Sequence, residues 1–177
     1  MSTPTLANAD AAIRRRAANI QLAVFDVDGV LTDGRFLLDT EGNELKSFHT
    51  QDGFGLRQLI THGITVAIIT GRSSGAVTHR TRELGIEHVF QGCRHKRDTI
   101  DNLIESLKLD ASAVAAVGDD IPDLDMFAAA KGLRFAVANA VEPVKQVADV
   151  QTERSGGFGA VREIADFLLA CHGADQS

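Results

Sequence analysis

Short runs of apolar residues alternate along the chain with stretches in which apolar residues recur every three or four positions. The runs are continuous, which is typical of strands that are covered on both faces of a sheet. The sequence predicts strands at 21–25, 64–69, 88–90, 113–117 and, less regularly, 135–138.

The stretches between these runs predict helices. Ile100, Leu103, Ile104 and Leu107 fall on one helical face, and Val161, Ile164, Ala165 and Leu168 repeat the spacing. A further short helix is expected at 9–18. Alternating strands and helices predict a parallel sheet with right-handed crossovers, so we expect an α/β fold, a Rossmann-like three-layer sandwich, as a single domain over residues 1–177.

One segment interrupts the alternation. Residues 35–39 and 44–49 resemble two short strands around Thr40-Glu41-Gly42-Asn43, a sequence typical of a turn. We therefore expect a β-hairpin at about 35–49 that projects beyond the first strand. Either it has a function, or it is an ordinary insertion. The remaining sequence between strands leaves no room for a separate cap domain.

Composition and charge restrict the class of protein. The chain of 177 residues is 44% hydrophobic and carries a formal net charge of −6. This acidity argues against nucleic acid or an anionic membrane as a partner, and no apolar run is long enough to span a bilayer. Cys93 and Cys171 lack metal-binding spacing and are expected to be reduced thiols of a cytoplasmic protein.

Candidate chemistry is concentrated where the predicted strands end. Asp26 and Asp28 follow the first strand, Thr70 closes the second, and Lys96 begins a helix. A third strand ends in an acidic group, Asp119, Asp120 and Asp123. Parallel strands bring these ends to one edge of the sheet, where ligands of such folds bind. Acidic residues crowded there repel one another unless a cation is bound.

These motifs together resemble those of the haloacid dehalogenase superfamily of phosphatases, in its capless subclass. The resemblance rests on Asp-Val-Asp-Gly at 26–29, Thr-Gly-Arg at 70–72, Lys96, and Gly-Asp-Asp-Ile-Pro-Asp at 118–123. It covers nearly the whole chain and implies a phosphatase that acts on a small sugar-acid phosphate with Mg²⁺ as cofactor. It also implies a homotetramer.

The resemblance further implies roles for individual residues. Asp26 would be the nucleophile that forms an aspartyl phosphate, and Asp28 the general acid and base. Mg²⁺ would be held by the carboxylates of Asp26 and Asp119 and the backbone carbonyl of Asp28. Thr70 and Lys96 would bind the phosphoryl group. Asp120 and Asp123 would orient Lys96 or metal-bound water.

The resemblance also implies which residues lie near substrate. In addition to Asp28 and Lys96, these are His49, Thr50, Gln51, Asp52, Gly53, Arg57, Arg72 and Arg80. A sugar-acid phosphate carries a carboxylate as well as a phosphate, which would explain several arginines in an acidic protein. The alternative for Arg57 and Arg80 is a solvated helix face.

Assembly is expected to complete the site. Apolar residues of the hairpin would be buried between subunits, and a C-terminal tail at about 154–177 would cover a neighbouring site. A predicted helix at 159–170 leaves open a second possibility, in which the tail packs on its own subunit.

Two other functions are considered. One is phosphatase activity on a different sugar acid, such as a nonulosonate 9-phosphate. The other is a non-catalytic oligomerisation module of the kind attached to some sialic acid cytidylyltransferases. A module of that kind is expected to lose motif residues, but Asp26, Thr70, Lys96 and Asp119 are all present.

Overall fold

The computed structural model describes residues 3–174 and contains one six-stranded sheet and one two-stranded hairpin. The large sheet has the strand order β5-β4-β1-β6-β7-β8, and every pairing in it is parallel. Its strands are β1 (Leu22–Phe25), β4 (Thr65–Ile69), β5 (His88–Phe90), β6 (Val114–Gly118), β7 (Leu133–Ala136) and β8 (Val150–Gln151). The predicted α/β sandwich is confirmed.

Within the described residues, seven α-helices pack around the sheet. They are α1 (Ala11–Ala18), α2 (Thr50–Thr61), α3 (Gly75–Leu84), α4 (Lys96–Leu107), α5 (Leu124–Ala129), α6 (Glu142–Val147) and α7 (Ala160–Ala174). α7 packs against both α1 and α2, and α4 packs against α5. Right-handed crossovers place α2 and α3 on one face and α4, α5 and α6 on the other. α7, which follows the last strand, lies with α1 and α2 through its contacts with them.

The central strands are buried because their residues are apolar on both faces. All four residues of β1 and all five of β6 are buried. Within the sheet, Ala23 pairs with Val66 of β4 and with Ala115 of β6. Because β1 pairs with β4 on one side and β6 on the other, the ends of these three strands lie next to one another. The candidate catalytic residues follow those ends.

The predicted hairpin is present, but its strands are shorter than expected. β2 (Leu37–Leu38) pairs antiparallel with β3 (Glu44–Leu45). At the turn, the Asp39 carboxylate accepts hydrogen bonds from the backbone N–H groups of Glu41 and Asn43. Residues 46–49 form no strand and lead directly into α2. Within residues 3–174, only this hairpin and α2 lie between β1 and β4, so the predicted lack of a cap is confirmed.

Two details of the sequence prediction are wrong. β7 lies two residues earlier than expected, since Leu133 and Arg134 pair with Ala115 and Ala116 of β6. β8 was not predicted, since two residues are too few to produce a pattern. No helix within residues 3–174 has the length and apolar character needed to cross a membrane.

The tail is mostly a helix that packs on its own subunit. Val161, Ile164 and Leu168 of α7 are fully buried in the core. Of the two possibilities for the tail, this chain therefore adopts the second for residues 160–174. Residues 175–177 of the predicted tail lie outside the described part of the chain.

Candidate active site

Three side chains that follow strands and a fourth at the start of a helix meet in one cavity of about 510 Å³. Asp26 follows β1, Thr70 follows β4, Asp119 follows β6, and Lys96 begins α4. β1, β4 and β6 run parallel and end at the same edge of the sheet, and α4 begins at that edge after β5. Asp28, Arg72, Asp120 and Asp123 also line this cavity.

The floor of the cavity is organised around the Lys96 ammonium. It donates hydrogen bonds of 2.6 Å to Oδ1 of Asp26 and 2.6 Å to Oδ1 of Asp123. All three side chains are almost completely buried. A buried charge is stable only when it is paired, and here one cation is shared between two carboxylates.

A third carboxylate, that of Asp119, adds further negative charge at the floor of the cavity. Burial, together with the charges of Asp123 and Asp26, raises the pKa of Asp119 to about 8. Burial and the charge of Asp123 likewise raise the pKa of Asp26 to about 7, although Lys96 opposes the shift. These carboxylates would be stabilised by an additional cation.

Close approach of the loops after β1 and β6 requires glycine. Gly29 has φ +94°, a left-handed conformation that favours glycine. A β-carbon on Gly29 would lie only 2.0 Å from Oδ2 of Asp119. The glycine of the Asp-Val-Asp-Gly motif therefore lets the Asp119 carboxylate lie against the loop that carries Asp26.

The carboxylates form a donor set that fits a hard divalent cation. Oxygen atoms of Asp26, Asp119 and Asp123 lie within 4.8 Å of one another. Among the described residues, Oδ1 of Asp119 is buried without a hydrogen-bond partner. An all-oxygen site with an unpaired buried carboxylate oxygen is suited to Mg²⁺.

Asp123 and Asp120 differ in their surroundings. Oδ2 of Asp123 accepts hydrogen bonds from the backbone N–H groups of Asp119 and Asp120, at 2.9 and 3.2 Å. Its other oxygen accepts from Lys96, so both are engaged. The Asp120 side chain accepts from the N–H of Ile121 and caps a short 3-10 helix. This arrangement supports Asp123 as the residue that orients Lys96.

The hairpin supplies one wall of the cavity. The guanidinium of Arg72 lies 4.1 Å from the ring centroid of Phe36, and its Nη2 lies 2.9 Å from Oε2 of Glu44. Lys46 contacts both Asp28 and Glu44. Phe36, Glu44 and Lys46 were not predicted from the sequence as site residues. The alternation Glu44-Leu45-Lys46 could have indicated that both charges share one face of a strand.

The remaining predicted substrate residues do not line this cavity in their own subunit. His49, Gly53 and Arg80 border a separate, narrow hollow beside α2, where Arg80 lies 2.8 Å from Glu83. Gln51 lies near Arg154, and Thr50 and Arg57 are exposed on α2. A role in substrate binding stays a prediction for all of them.

Asp52 has a structural role within its own subunit. It is almost completely buried and accepts hydrogen bonds from the backbone N–H groups of Gly159 and Arg162, at 3.3 and 2.8 Å. Its carboxylate therefore holds the first turn of α7 against α2. Asp52 faces this helix end and does not line the cavity that contains Asp26.

Asn139, which was also not predicted from the sequence, joins the tail to the loop after β1. Asn139 donates to the carbonyl of Gly29 at 3.0 Å and accepts from the N–H of Gly156 at 2.6 Å. A β-carbon on Gly156 would collide with that same carbonyl of Gly29. The segment that precedes α7 is thus fixed to the loop after β1.

The parallel sheet, the carboxylate pair after β1 and the acidic group after β6 are the arrangement of an α/β hydrolase whose site lies at the carboxyl edge of its sheet. Comparison with known proteins agrees. Residues 89–163 match the haloacid dehalogenase-like hydrolase family. The chain is 44% identical over 158 residues to 3-deoxy-D-manno-octulosonate 8-phosphate phosphatase of Escherichia coli strain K12, an alignment that covers 89% of this chain and 84% of the relative.

Solved structures of such phosphatases are also similar to this chain. The crystal structure of this phosphatase from Moraxella catarrhalis, in complex with magnesium ion, phosphate ion and KDO, has a TM-score of 0.89 at 40% identity and covers 95% of this chain and 96% of that one. The enzyme from Yersinia pestis has a TM-score of 0.91 at 40% identity and covers 96% of this chain and 91% of that one. The chain belongs to the haloacid dehalogenase-like hydrolases, within the family that contains these sugar-acid phosphatases.

Proposed function

We propose that the protein is a Mg²⁺-dependent phosphatase that hydrolyses 3-deoxy-D-manno-octulosonate 8-phosphate to the free sugar acid and phosphate. The reaction would be a step in the synthesis of lipopolysaccharide precursors. The observation that carries the proposal is the buried group in which Lys96 joins Asp26 to Asp123 beside the unpaired oxygen of Asp119. Relatives of that activity are 44% identical to this chain.

The chemistry follows from the two aspartates after β1. A carboxylate oxygen of Asp26 attacks phosphorus, and the ester P–O bond breaks. Asp28 gives its proton to the departing sugar oxygen. Water then attacks phosphorus and gives a proton back to Asp28, and the P–O bond to Asp26 breaks. Phosphate leaves, and both aspartates are restored.

The other residues hold the phosphoryl group. The Thr70 hydroxyl donates to a phosphoryl oxygen, and Lys96 balances part of the negative charge. Asp26 and Asp119 would hold Mg²⁺, with the backbone carbonyl of Asp28. When bound, this ion supplies the positive charge that lets a carboxylate approach a phosphate dianion.

A comparison of substrates tests the proposal. Purified protein is assayed for phosphate release from 3-deoxy-D-manno-octulosonate 8-phosphate, a nonulosonate 9-phosphate and para-nitrophenyl phosphate, with Mg²⁺ and with excess chelator. The proposal expects the highest kcat/KM with the eight-carbon ester and no turnover in chelator. A higher kcat/KM with the nine-carbon ester would support the alternative substrate, and no turnover of any ester would support a non-catalytic module.

Assembly as a homotetramer belongs to the same proposal. Leu37, Leu38 and Leu45 of the hairpin are more than half exposed on the single chain. An apolar projection with open strand edges is a frequent site of protein association. Subunits joined through hairpins would also bring residues of one chain near the cavity of another, which would give Arg57 and Arg80 access to substrate. A cytoplasmic location stays a prediction.

A further inference from the structure

Lys46, a buried lysine directly after β3 of the hairpin, contacts the loop after β1 that carries Asp28. Nζ of Lys46 contacts Oδ1 of Asp28 and lies 3.0 Å from Oε1 of Glu44. Only 1% of the Lys46 side chain is exposed, whereas lysine side chains normally reach solvent. Burial of an ammonium is unfavourable unless carboxylates pair with it, so this position is specified by its two partners.

The contact belongs to a chain of alternating charges whose two ends, Asp28 and Arg72, line the cavity. In space, Asp28 contacts Lys46, Lys46 contacts Glu44, and Glu44 contacts Arg72. Two anions and two cations therefore alternate. The Phe36 ring covers the cations, with its centroid 5.2 Å from Nζ of Lys46. Lys46 therefore holds the Asp28 side chain at one end of this chain of charges, and Glu44 holds Arg72 at the other end.

An ordinary surface ion pair looks different. Arg97 and Asp101 on α4 lie 2.6 Å apart, but nearly half of each side chain is exposed, and pairs of that kind contribute little to stability. Lys46 instead reaches from the hairpin to a residue 18 positions earlier in the chain. A lysine that stabilised only the hairpin would not need this contact with Asp28.

We propose that Lys46 is a positioning residue that holds the Asp28 carboxyl group where it can pass a proton to the departing oxygen. This inference rests on the proposed function. The contact of the Lys46 ammonium with Oδ1 of Asp28 fixes the orientation of that carboxyl group. No atom of Lys46 is transferred in the reaction.

The role predicts a dependence on the leaving group. A sugar alkoxide is a poor leaving group and needs the proton, whereas para-nitrophenolate leaves without one. Loss of Lys46 should therefore reduce kcat/KM for sugar and alkyl phosphates far more than for para-nitrophenyl phosphate. General acid catalysis contributes roughly 10²- to 10⁴-fold, so a mispositioned acid should lose about 10- to 100-fold of it.

The test measures kcat/KM for Lys46→Met over a series of phenyl phosphates of increasing leaving-group pKa, and for the sugar-acid phosphate. Lys46→Gln serves if the methionine variant does not fold, and Lys46→Arg, which keeps the charge, should recover part of the loss. Lys131→Met is the matched control, because Lys131 is an exposed lysine that precedes β7, at the edge of the sheet opposite the cavity. Its kcat/KM values should equal those of the wild type.

The expected result is a steeper fall of log kcat/KM with leaving-group pKa in Lys46→Met than in the wild type. Equal loss on every ester, or no loss, would overturn the proposal. The phenyl phosphate series also separates this inference from the choice of substrate. If the wild type hydrolyses aryl esters but not the sugar-acid phosphate, the proposed substrate is wrong, while the slope still tests Lys46.

Discussion

Asp123 holds Lys96 through an oxygen that lies 2.6 Å from the ammonium, and its other oxygen accepts a hydrogen bond from the backbone N–H of Asp119. Asp123 thus connects the lysine of α4 to the loop after β6. Asp123→Asn should lower kcat about 10- to 100-fold, as is usual for residues that orient the groups of a metal site. Steady-state kinetics at saturating Mg²⁺ measures the change.

Asp120→Asn is the matched control for this prediction. The Asp120 carboxylate accepts from the N–H of the next residue and does not contact Lys96. Its loss of kcat should be clearly smaller. A larger loss in Asp120→Asn than in Asp123→Asn would show that the two acids have been assigned the wrong way round.

The raised pKa values predict how stability depends on pH in metal-free protein. The pKa of Asp119 is raised to about 8 and that of Asp26 to about 7, from the ordinary aspartate value of 3.8. Between about pH 4 and 8 the folded chain therefore binds more protons than the unfolded chain, and its stability should fall as pH rises through this range.

Urea unfolding in chelator at pH 5.5, 7 and 8.5 checks this trend. Mg²⁺ should restore stability most at pH 8.5, because it binds the ionised carboxylates. Asp119→Asn should show a flatter pH profile in chelator than the wild type. If metal-free stability rises from pH 5.5 to 8.5, the electrostatic description of the cavity floor is wrong.

Arg72 should contribute to substrate choice. Its guanidinium is held by Glu44 and Phe36 at the cavity wall, yet over half of its side chain is exposed to a ligand. Arg72→Ala should reduce kcat/KM more for the sugar-acid phosphate than for para-nitrophenyl phosphate, which has no carboxylate. A charge-assisted hydrogen bond of about 1.5–3 kcal/mol corresponds to roughly a 10- to 150-fold difference.

Arg57→Ala is compared with Arg72→Ala on the same two substrates. Arg57 does not line the cavity of its own subunit, so a selective loss in this variant would mean that it reaches a neighbour's site. Equal losses on both substrates for Arg72→Ala would show that this arginine serves the phosphate or the fold instead.

Residues at strand ends could be predicted from sequence, and residues that depend on longer-range folding could not. Asp26, Thr70 and Asp119 each follow a buried apolar run, so the topology of a parallel sheet alone brings them together. Lys46 reaches the site only because a hairpin folds back over the loop after β1. Its position depends on the angle of that hairpin, which no local pattern specifies.

The hairpin should also determine the oligomeric state. Light scattering of the wild type is expected to give four times the chain mass of 18.9 kDa. Replacing Leu38 and Leu45 together by glutamate should release monomers, because like charges would replace apolar contacts. The exposed surface of α1, which carries Arg15, offers a control position for an equivalent change. A monomeric wild type would refute the assembly while leaving the phosphatase proposal intact.

The covalent role of Asp26 is the central claim, and the position of the intermediate tests it most directly. Asp28→Asn is mixed with para-nitrophenyl phosphate and Mg²⁺, a substrate that needs no acid to form the intermediate but still needs the base to release it. Acid quenching and borohydride reduction convert an aspartyl phosphate to homoserine, and peptide mass spectrometry locates it. We predict homoserine at position 26 and its absence from Asp26→Asn. Homoserine at another position, or unmodified Asp26 in an enzyme that turns over, would contradict the covalent mechanism.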